Sequence, residues 1–425
     1  MRCVSAPATS EILHFGLLVG APLRDQAGER LGTVRDLIVR LGDPGYPQIT
    51  GFLVSVAGRQ SFLNAELVAS LGYDGVRLAS VKLDLRRFER REGEVLLGKD
   101  VLDRQLINVD GARLVRTNDI ELARVSGWYR VVGVDTGPRG ALRRLLPRAL
   151  GHRVGAGAFL DWASVEPFVG HVPTVRLNVP HPKLARLHPS QIADLVEAAS
   201  HGEGEEIIAA VGDDRELEAD VFEELDEHHQ AEFLAERNDG EAADVLARMA
   251  ADDAADAAAG LDDDRREAVL DLLPAAQRSK VRALLGYDPA TAGGLMSPDF
   301  LCLYRHATVG EALERVRASG LPAELLSSVY LMTPRHRLEG AVALADLVRA
   351  DPDDDVSDHA SPAVRPVRAD ADIEELSRLM ADFNLTAVSV VDEQERMIGL
   401  VTVDDVLEVL LPKGWRRRFG LLGED

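Results

Sequence analysis

The chain has 425 residues, 46% of them hydrophobic, and only two cysteines. This length predicts two to four domains, because single hydrophobic cores rarely grow beyond about 250–300 residues. Cys3 and Cys302 lie far apart and lack metal-ligand spacing, which argues against a disulfide scaffold or a zinc site and favours a reducing compartment. No long apolar window or signal-peptide core is present, so we expect a cytoplasmic protein without a transmembrane segment.

The formal net charge of −23 is concentrated in one segment of the chain. Residues 201–272 contain 25 Asp and Glu residues against 5 Lys and Arg residues. Phosphate groups would be repelled there and cations attracted. The charge therefore disfavours nucleic acid as a partner and makes a cation a candidate ligand.

The first part of the chain is predicted to form short strands in two similar halves. The stretches ITGFLVSVAG and GVRLASVKLDL carry β-branched and alternating apolar residues between Gly, Asp and Pro turns. LLVGAPLRDQAGERLGTVRDLIVRL is similar to LLGKDVLDRQLINVDGARLVRTNDIEL further along, which indicates an internal duplication. The shared pattern resembles a PRC-barrel repeat. The resemblance implies two small β-barrels, over residues 12–90 and 91–172.

A basic amphipathic insertion, PRGALRRLLPRALGHRVGAG, occupies residues 138–157. It contains five arginines: Arg139, Arg143, Arg144, Arg148 and Arg153. One interpretation is a docking site for an anionic partner. The alternative is a solvated helix, or a helix that pairs with the acidic segment.

Residues 187–286 contain eight short amphipathic pieces, from PSQIADLVEAA to AAQRSKVRALL. Each has apolar residues at i, i+3 or i+4, and most begin with Pro, Asp, Gly or Ser, which are typical of helix starts. Helices this short are marginal in water by themselves. We therefore expect a superhelical array that buries one continuous core.

Residues 296–411 are predicted to form two β-α-β-β-α modules, over about 296–352 and 358–411. In the first module, HATVGEALERVRASG is a helix with a capping box at Thr308 and Glu311. In the second, DADIEELSRLMADF and VDDVLEVLL are helices that flank a hairpin, TAVSVVDEQERMIGLVT.

The joint YDPATAGGLMSPDF, residues 287–300, lies between the array and these modules. It is similar to the signature that joins the acidic N-terminal domain of MgtE magnesium channels to a CBS-domain pair. Gly293 and Gly294 are expected to allow a tight turn, with Leu295 and Met296 packing it down. The resemblance covers about 187–411. The expected fold class is multidomain α+β, with two small N-terminal β-barrels, an α-helical superhelical array and a tandem CBS pair.

The resemblance implies a regulatory protein that senses Mg²⁺ and forms a homodimer through its CBS pair. Mg²⁺ is held by carboxylate oxygens and keeps several waters, so facing carboxylates are the expected site. On the CBS side the candidates are Asp404, Asp405 and Glu408, and the i to i+4 spacing places Asp404 and Glu408 on one helix face. The array offers Asp244, Asp252 and Asp253, with further candidates at Asp213, Asp214, Glu241 and Asp256. The alternative for each is a solvated surface carboxylate.

A second possible cofactor is ATP or another adenine nucleotide. The resemblance to nucleotide-binding CBS pairs implies a Ser or Thr with an Asp three residues later, and Thr402 and Asp405 fit that spacing. Pro362, Val364 and Arg365 would line the same site. The alternative is a strand end followed by a helix N-cap. In the first module Ala343 stands at the hydroxyl position, and Asn384 stands where the family commonly has an acidic residue.

Two other functions remain open from the residues. The barrels would bind an unknown protein partner if the chain is a non-catalytic adaptor, with the acidic array as a spacer. They would bind RNA or the ribosome if the basic insertion is exposed. No catalytic motif with the required spacing occurs, so we expect no enzyme activity.

Overall fold

A computed structural model describes residues 12–41, 45–79, 89–91, 93–155, 157–168, 183–361 and 365–411. The chain divides into two compact units, residues 1–218 and 219–425. This division falls inside the predicted helical array, and each unit is described by itself. No helix of the described ranges combines the length and apolar character that crossing a membrane requires.

The strands of unit 1 form three open sheets. Their bounds are β1 (Leu13–His14), β2 (Pro22–Arg24), β3 (Arg30–Arg40), β4 (Ile49–Val56), β5 (Arg59–Asn64), β6 (Val68–Gly72), β7 (Gly75–Leu78), β8 (Glu94–Leu96), β9 (Gln105–Asn108), β10 (Arg113–Arg116), β11 (Asp119–Val125), β12 (Trp128–Asp135), β13 (Phe159–Asp161) and β14 (Val165–Pro167). The helices are α1 (Phe15–Leu18), α2 (Pro138–Leu145), α3 (Arg148–Gly151), α4 (Pro189–Ala198) and α5 (His201–Val211).

The largest sheet has the order β5-β4-β3-β2-β7-β6, with β8 also paired to β3. The other two sheets have the orders β1-β11-β12-β13 and β10-β9-β14. None of these sheets closes on itself within the described residues, so the barrels and the duplication remain predictions.

The two predicted halves of this region exchange strands. β1 opens the first half but pairs with β11 of the second, while β8 opens the second half and pairs with β3 of the first. The same contact follows each exchanged strand: Asp119 Oδ1 accepts from the Gly16 N–H at 2.8 Å, and Asp36 Oδ1 accepts from the Gly98 N–H at 2.7 Å. One apolar core, which includes Phe15, contains buried side chains from both halves. The halves therefore cannot separate without losing strand pairs and core contacts.

The helices that follow confirm the eight short pieces expected of the array. After α4 and α5 come α6 (Arg215–Glu223), α7 (Glu227–Glu236), α8 (Asp239–Leu246), α9 (Ala251–Ala259), α10 (Asp263–Leu272) and α11 (Ala275–Leu284). In unit 2, α7 packs on α9, α9 on α11, and α8 on α10. The Gln277 side chain fixes one step of this stacking, because its amide donates to the carbonyls of Leu246 at 3.2 Å and Met249 at 2.9 Å.

The remaining elements of unit 2 confirm two modules of similar order. They are α12 (Ala292–Leu295), β15 (Cys302–Tyr304), α13 (Val309–Ala318), β16 (Ser328–Met332), β17 (Leu338–Ala343), α14 (Leu344–Arg349), β18 (Val367–Arg368), α15 (Ile373–Phe383), β19 (Ala387–Val391), β20 (Met397–Thr402) and α16 (Val403–Leu410). In each module a parallel pair is followed by an antiparallel hairpin, in the orders β15-β16-β17 and β18-β19-β20. The capping box of Thr308 and Glu311 is confirmed at the start of α13.

The joint between array and modules forms the single helical turn α12, not a left-handed turn. Neither Gly293 nor Gly294 has a positive φ angle, so a different constraint excludes a side chain at these positions. A Cβ on Gly293 would lie 2.6 Å from the Tyr287 ring, and one on Gly294 would lie 2.4 Å from the Asp288 carbonyl oxygen. The glycines are therefore needed for close backbone approach. Met296 is buried, as expected.

Candidate functional site

The candidate site is formed by carboxylates on α9 and α16. Asp252 and Asp253 lie in the first turn of α9, and Asp405 lies in the first turn of α16. Helix N-termini suit such residues locally, because the helix dipole favours negative charge there. Asp253 interacts electrostatically with both Asp405 and Glu408, which shows that the two helices bring these groups together.

The two α9 carboxyls are held in an environment that opposes their ionisation. Burial, then the charges of Asp256 and Asp299, raise the pKa of Asp252 to about 6. Burial raises the pKa of Asp253 well above its usual range, and the charges of Asp252, Glu223, Asp405 and Glu408 raise it further. Oδ1 of Asp252 is a buried atom that has no hydrogen-bond partner among the described residues. It therefore has a lone-pair face that a cation can satisfy.

The carboxyl of Asp405, on the α16 side of the site, also lies in an environment that opposes its ionisation. Burial raises the pKa of Asp405 to about 7, with further increases from Asp252 and Glu408, although hydrogen bonds from Thr402 oppose the shift. On α9, Asp256 retains solvent access, yet the protein around its carboxyl and the charges of Glu227 and Glu408 raise its pKa to about 6. The charged groups that shift these values are all carboxylates.

Glu223, at the end of α6, is a member of this group that the sequence did not indicate. Burial raises its pKa to about 7, and the charges of Asp220, Asp252 and Glu224 add to the shift. Its Oε1 accepts from the Ala250 N–H at 2.5 Å, just before α9 begins. In sequence it stands in the pair Glu223–Glu224, and the apolar pattern does not tell which of the two faces α9. At the edge of the site, Lys280 pairs with Asp299 at 2.6 Å.

The other carboxylates named from the sequence lie elsewhere. Asp404 is exposed on α16. Asp244 is exposed on α8 and pairs with Arg248 at 3.2 Å. Glu241 completes the capping box of α8 through the Asn238 backbone. Asp213 and Asp214 are exposed in unit 1.

Three of the five residues proposed to bind a nucleotide, Thr402, Asp405 and Arg365, lie among the described residues. Thr402 is buried, and its hydroxyl donates to Asp405 Oδ2 at 2.8 Å within a capping box that begins α16. The Arg365 guanidinium lies over the Phe383 ring, 4.2 Å from its centroid. Pro362 and Val364 lie outside the described residues. Asn384 is the left-handed C-cap of α15, with φ of 51°, a conformation that Asn tolerates better than most residues.

In unit 1, Arg143 of the basic insertion points into the protein. It is fully buried, with Nη1 2.8 Å from Asp119 Oδ2 and Nη2 3.4 Å from Asp135 Oδ2. Arg144 forms two hydrogen bonds with Asp103, at 2.9 and 2.8 Å. The interpretation of the insertion as a docking site for an anionic partner is therefore wrong for Arg143, because its charge is neutralised inside the fold.

Comparison with known proteins separates the two parts of the chain. Residues 187–290 match the MgtE intracellular N domain, and residues 292–353 and 356–412 match the CBS domain. The magnesium transporter MgtE of Thermus thermophilus is 37% identical over 195 residues, which are 45% of this chain and 43% of the relative. The chain thus spans less than half the length of that curated relative.

Two solved structures match the same region. The cytosolic domain of the Mg²⁺ channel MgtE in complex with ATP has a TM-score of 0.52 and 33% identity, over 55% of this chain and 95% of that one. The soluble part of a magnesium transporter has a TM-score of 0.51 and 27% identity, over 55% of this chain and 91% of that one. This chain therefore carries an MgtE intracellular N domain followed by a CBS pair, and it is related to the cytosolic domain of MgtE magnesium transporters.

Proposed function

We propose that this chain is a magnesium-responsive regulatory protein whose ligand site lies between α9 and α16. The observation that supports it is the facing set of Asp252 and Asp253 on one helix and Asp405 and Glu408 on the other, with carboxylates as the charge neighbours. The negative charges on the two helices repel each other and oppose the approach of α9 to α16. A divalent cation would convert that repulsion into attraction, because each carboxylate gains an oppositely charged neighbour.

The donor set fits Mg²⁺. This ion prefers oxygen ligands and is usually bound through one or two carboxylates with several waters retained. The partnerless Oδ1 of Asp252 and the solvent access of Asp256 provide a direct ligand and an open side for waters. No nitrogen or sulfur donor is needed, which disfavours zinc.

Binding of Mg²⁺ would regulate the protein by determining whether the helical array stays packed against the CBS pair. With Mg²⁺ bound, Asp253 and Asp405 remain close, and the region around α9 and α16 is stabilised. Without Mg²⁺, either protons must bind to these carboxyls or the helices must move apart. A ligand shifts such an equilibrium by its difference in affinity for the two states.

Thermal denaturation with and without Mg²⁺ tests this proposal. The wild type is compared with the double variant Asp253→Asn and Asp405→Asn. A matched control, Asp264→Asn with Asp382→Asn, removes one exposed carboxylate from the array and one from the CBS pair. We expect millimolar Mg²⁺ to raise the melting temperature of wild type and control, and to leave the double variant unchanged. An equal rise in all three proteins would refute the site.

An adenine nucleotide is the second candidate ligand. The solved relative in complex with ATP supports it, as does the Thr402–Asp405 pair at the start of α16. Asp405 would then belong to both ligand sites. Titration with ATP, with and without Mg²⁺, should give saturable heat in the wild type and a weaker response in Thr402→Ala. Identical responses from the two proteins would remove Thr402 from the site.

We further propose a cytoplasmic homodimer formed through the CBS pair, with the sheets of unit 1 binding a protein partner. Exposed apolar side chains on two CBS helices support the dimer: Val348 on α14, and Leu407, Val409 and Leu410 on α16. Light scattering should give twice the chain mass. Leu407→Glu with Leu410→Glu should give the monomer mass, and an unchanged dimer in that variant would place the interface elsewhere.

A further inference from the structure

The insertion between β12 and β13 has its polarity reversed. On α2, Gly140 and Arg143 face the protein, whereas Leu145 is 83% exposed and Leu142 is 48% exposed. Leu150, on α3, is 46% exposed. A surface helix normally buries its apolar stripe and exposes its charges. Here the helix buries a guanidinium and exposes leucines, so these leucines contribute little to the stability of unit 1.

Polar contacts on the inner side hold the insertion in place. Arg143 bonds to Asp119 and Asp135, and also donates to the Gly155 carbonyl at 3.2 Å. Arg148 donates to the Tyr73 carbonyl at 3.0 Å. These contacts join α2 and α3 to the sheets without using the leucines. The exposed apolar side chains are therefore presented on a well-anchored support.

The surroundings of the leucines carry positive charge. Residues 138–153 contain five arginines and no Asp or Glu. Arg143 is neutralised inside and Arg144 pairs with Asp103, and Arg153 is exposed close to Leu150 in sequence. Residues 12–168 contain 22 basic and 18 acidic residues, so the strong negative charge of the chain lies outside this region.

We propose that α2 and α3 form a membrane-surface element, which inserts Leu142, Leu145 and Leu150 between the lipids of an anionic bilayer. Leucines flanked by arginines are the composition that binds at the headgroup boundary, where apolar burial and attraction to anionic lipid add together. This surface is independent of the proposed magnesium site.

A bilayer suits this surface better than a macromolecular partner does. The side chain of Leu145 projects into solvent, and a protein partner would need a complementary groove and an interface above about 1,000 Å² to bind specifically. A bilayer accepts a projecting leucine without a preformed groove. Nucleic acid would use the arginines but gives no role to the leucines, because its affinity comes mainly from phosphate contacts.

Vesicle flotation with the full chain tests the proposal. We expect the wild type to float with vesicles of phosphatidylglycerol and phosphatidylcholine, and to stay unbound with phosphatidylcholine alone. Leu142→Ser with Leu145→Ser should lower the bound fraction about tenfold, because two apolar side chains no longer enter the bilayer. The matched control is Leu272→Ser, which removes another exposed leucine, from α10.

The same comparison defines the results that would overturn the proposal. They are a wild type that fails to float with anionic vesicles, or a double serine variant that floats as well as the wild type. Binding to an RNA or protein partner through the same leucines, without binding to vesicles, would also overturn it. Circular dichroism melting of each variant verifies that it is folded, and a fold equal to the wild type is expected because both leucines are exposed.

Discussion

Asp119 and Asp135 in unit 1 face a guanidinium, whereas Asp253 and Asp405 in unit 2 face other carboxylates. Burial raises the pKa of Asp119, but the Gly16 N–H and the Arg143 side chain act in the opposite direction. Around Asp253, the neighbouring charges act in the same direction as burial. The two groups of carboxylates therefore differ in the sign of the charges that surround them.

This difference separates a structural role from a ligand-binding one. A buried carboxylate with its own cation and backbone donors is complete, and its function is to hold the fold together. A cluster of carboxylates without an internal cation destabilises the protein until a cation from solution binds. If the proposed magnesium site is correct, the same residue type holds unit 1 together by itself and makes the stability of unit 2 depend on an external ion.

The largest expected effect comes from removing the internal cation. Arg143→Met leaves Asp119 and Asp135 buried without their partner, and breaking such a buried pair costs about 3–5 kcal/mol. We expect the free energy of unfolding of unit 1 to fall by this amount. Hydrogen exchange of β11 and β12, measured by mass spectrometry, should accelerate accordingly. Exchange at the wild-type rate in Arg143→Met would show that these carboxylates need no cation.

Removal of a carboxylate from the acidic cluster of unit 2 is expected to stabilise the protein. Asp253→Asn removes one buried charge and its repulsion from Asp405 and Glu408. In the absence of Mg²⁺, at a pH at which the wild-type carboxyls are ionised, we expect this variant to be more stable than the wild type around α9 and α16, because burial and the neighbouring carboxylates oppose the charge that it removes. Slower hydrogen exchange in both helices would demonstrate this stabilisation. Faster exchange would mean that the carboxylate makes a favourable internal contact.

The pH dependence should show the same contrast. The pKa values of Asp252 and Asp256 rise from 3.8 to about 6, and that of Asp405 from 3.8 to about 7. A raised pKa stabilises the folded state at low pH, and this contribution is lost as pH rises through the folded value. Without Mg²⁺, the thermal unfolding midpoint of unit 2 should therefore decrease as the pH rises from about 4 to about 7, between the unfolded and the folded pKa values. Mg²⁺ at pH 8 should restore it, and a midpoint that stays constant would contradict the account.

The smallest effect is expected at an exposed ion pair. Arg144 and Asp103 are partly exposed, and pairs of this kind contribute about 0.2–1 kcal/mol. Arg144→Ala should lower the free energy of unfolding of unit 1 by no more than that, in chemical denaturation. A loss as large as that of Arg143→Met would show that burial does not explain the difference between the two arginines.

The sequence predicts well those features that depend on near neighbours in the chain. The eight array helices follow from local periodicity and caps, and the capping box of Thr308 and Glu311 needs only residues three positions apart. Thr402 and Asp405 show the limit of such spacing. A nucleotide motif and a helix N-cap have the same spacing, and the structure shows the N-cap contacts.

Features that depend on distant contacts were not available from the sequence. Which acids of the array face α16 depends on how α9 stacks in unit 2, so the sequence does not indicate Glu223 and does not distinguish the exposed Asp404 from Asp405. The sequence does not distinguish Arg143 from the other four arginines of the insertion, because its partners Asp119 and Asp135 lie on strands outside the insertion. The exchange of β1 and β8 is a long-range pairing that no local pattern predicts.

Calorimetric titration of Mg²⁺ into three proteins tests whether the ion binds between α9 and α16. They are the wild type, Asp253→Asn with Asp405→Asn, and the control Asp264→Asn with Asp382→Asn. We expect saturable millimolar binding to the wild type and the control, and none to the variant Asp253→Asn with Asp405→Asn. Equal binding heats in all three proteins would show that Mg²⁺ does not bind between α9 and α16.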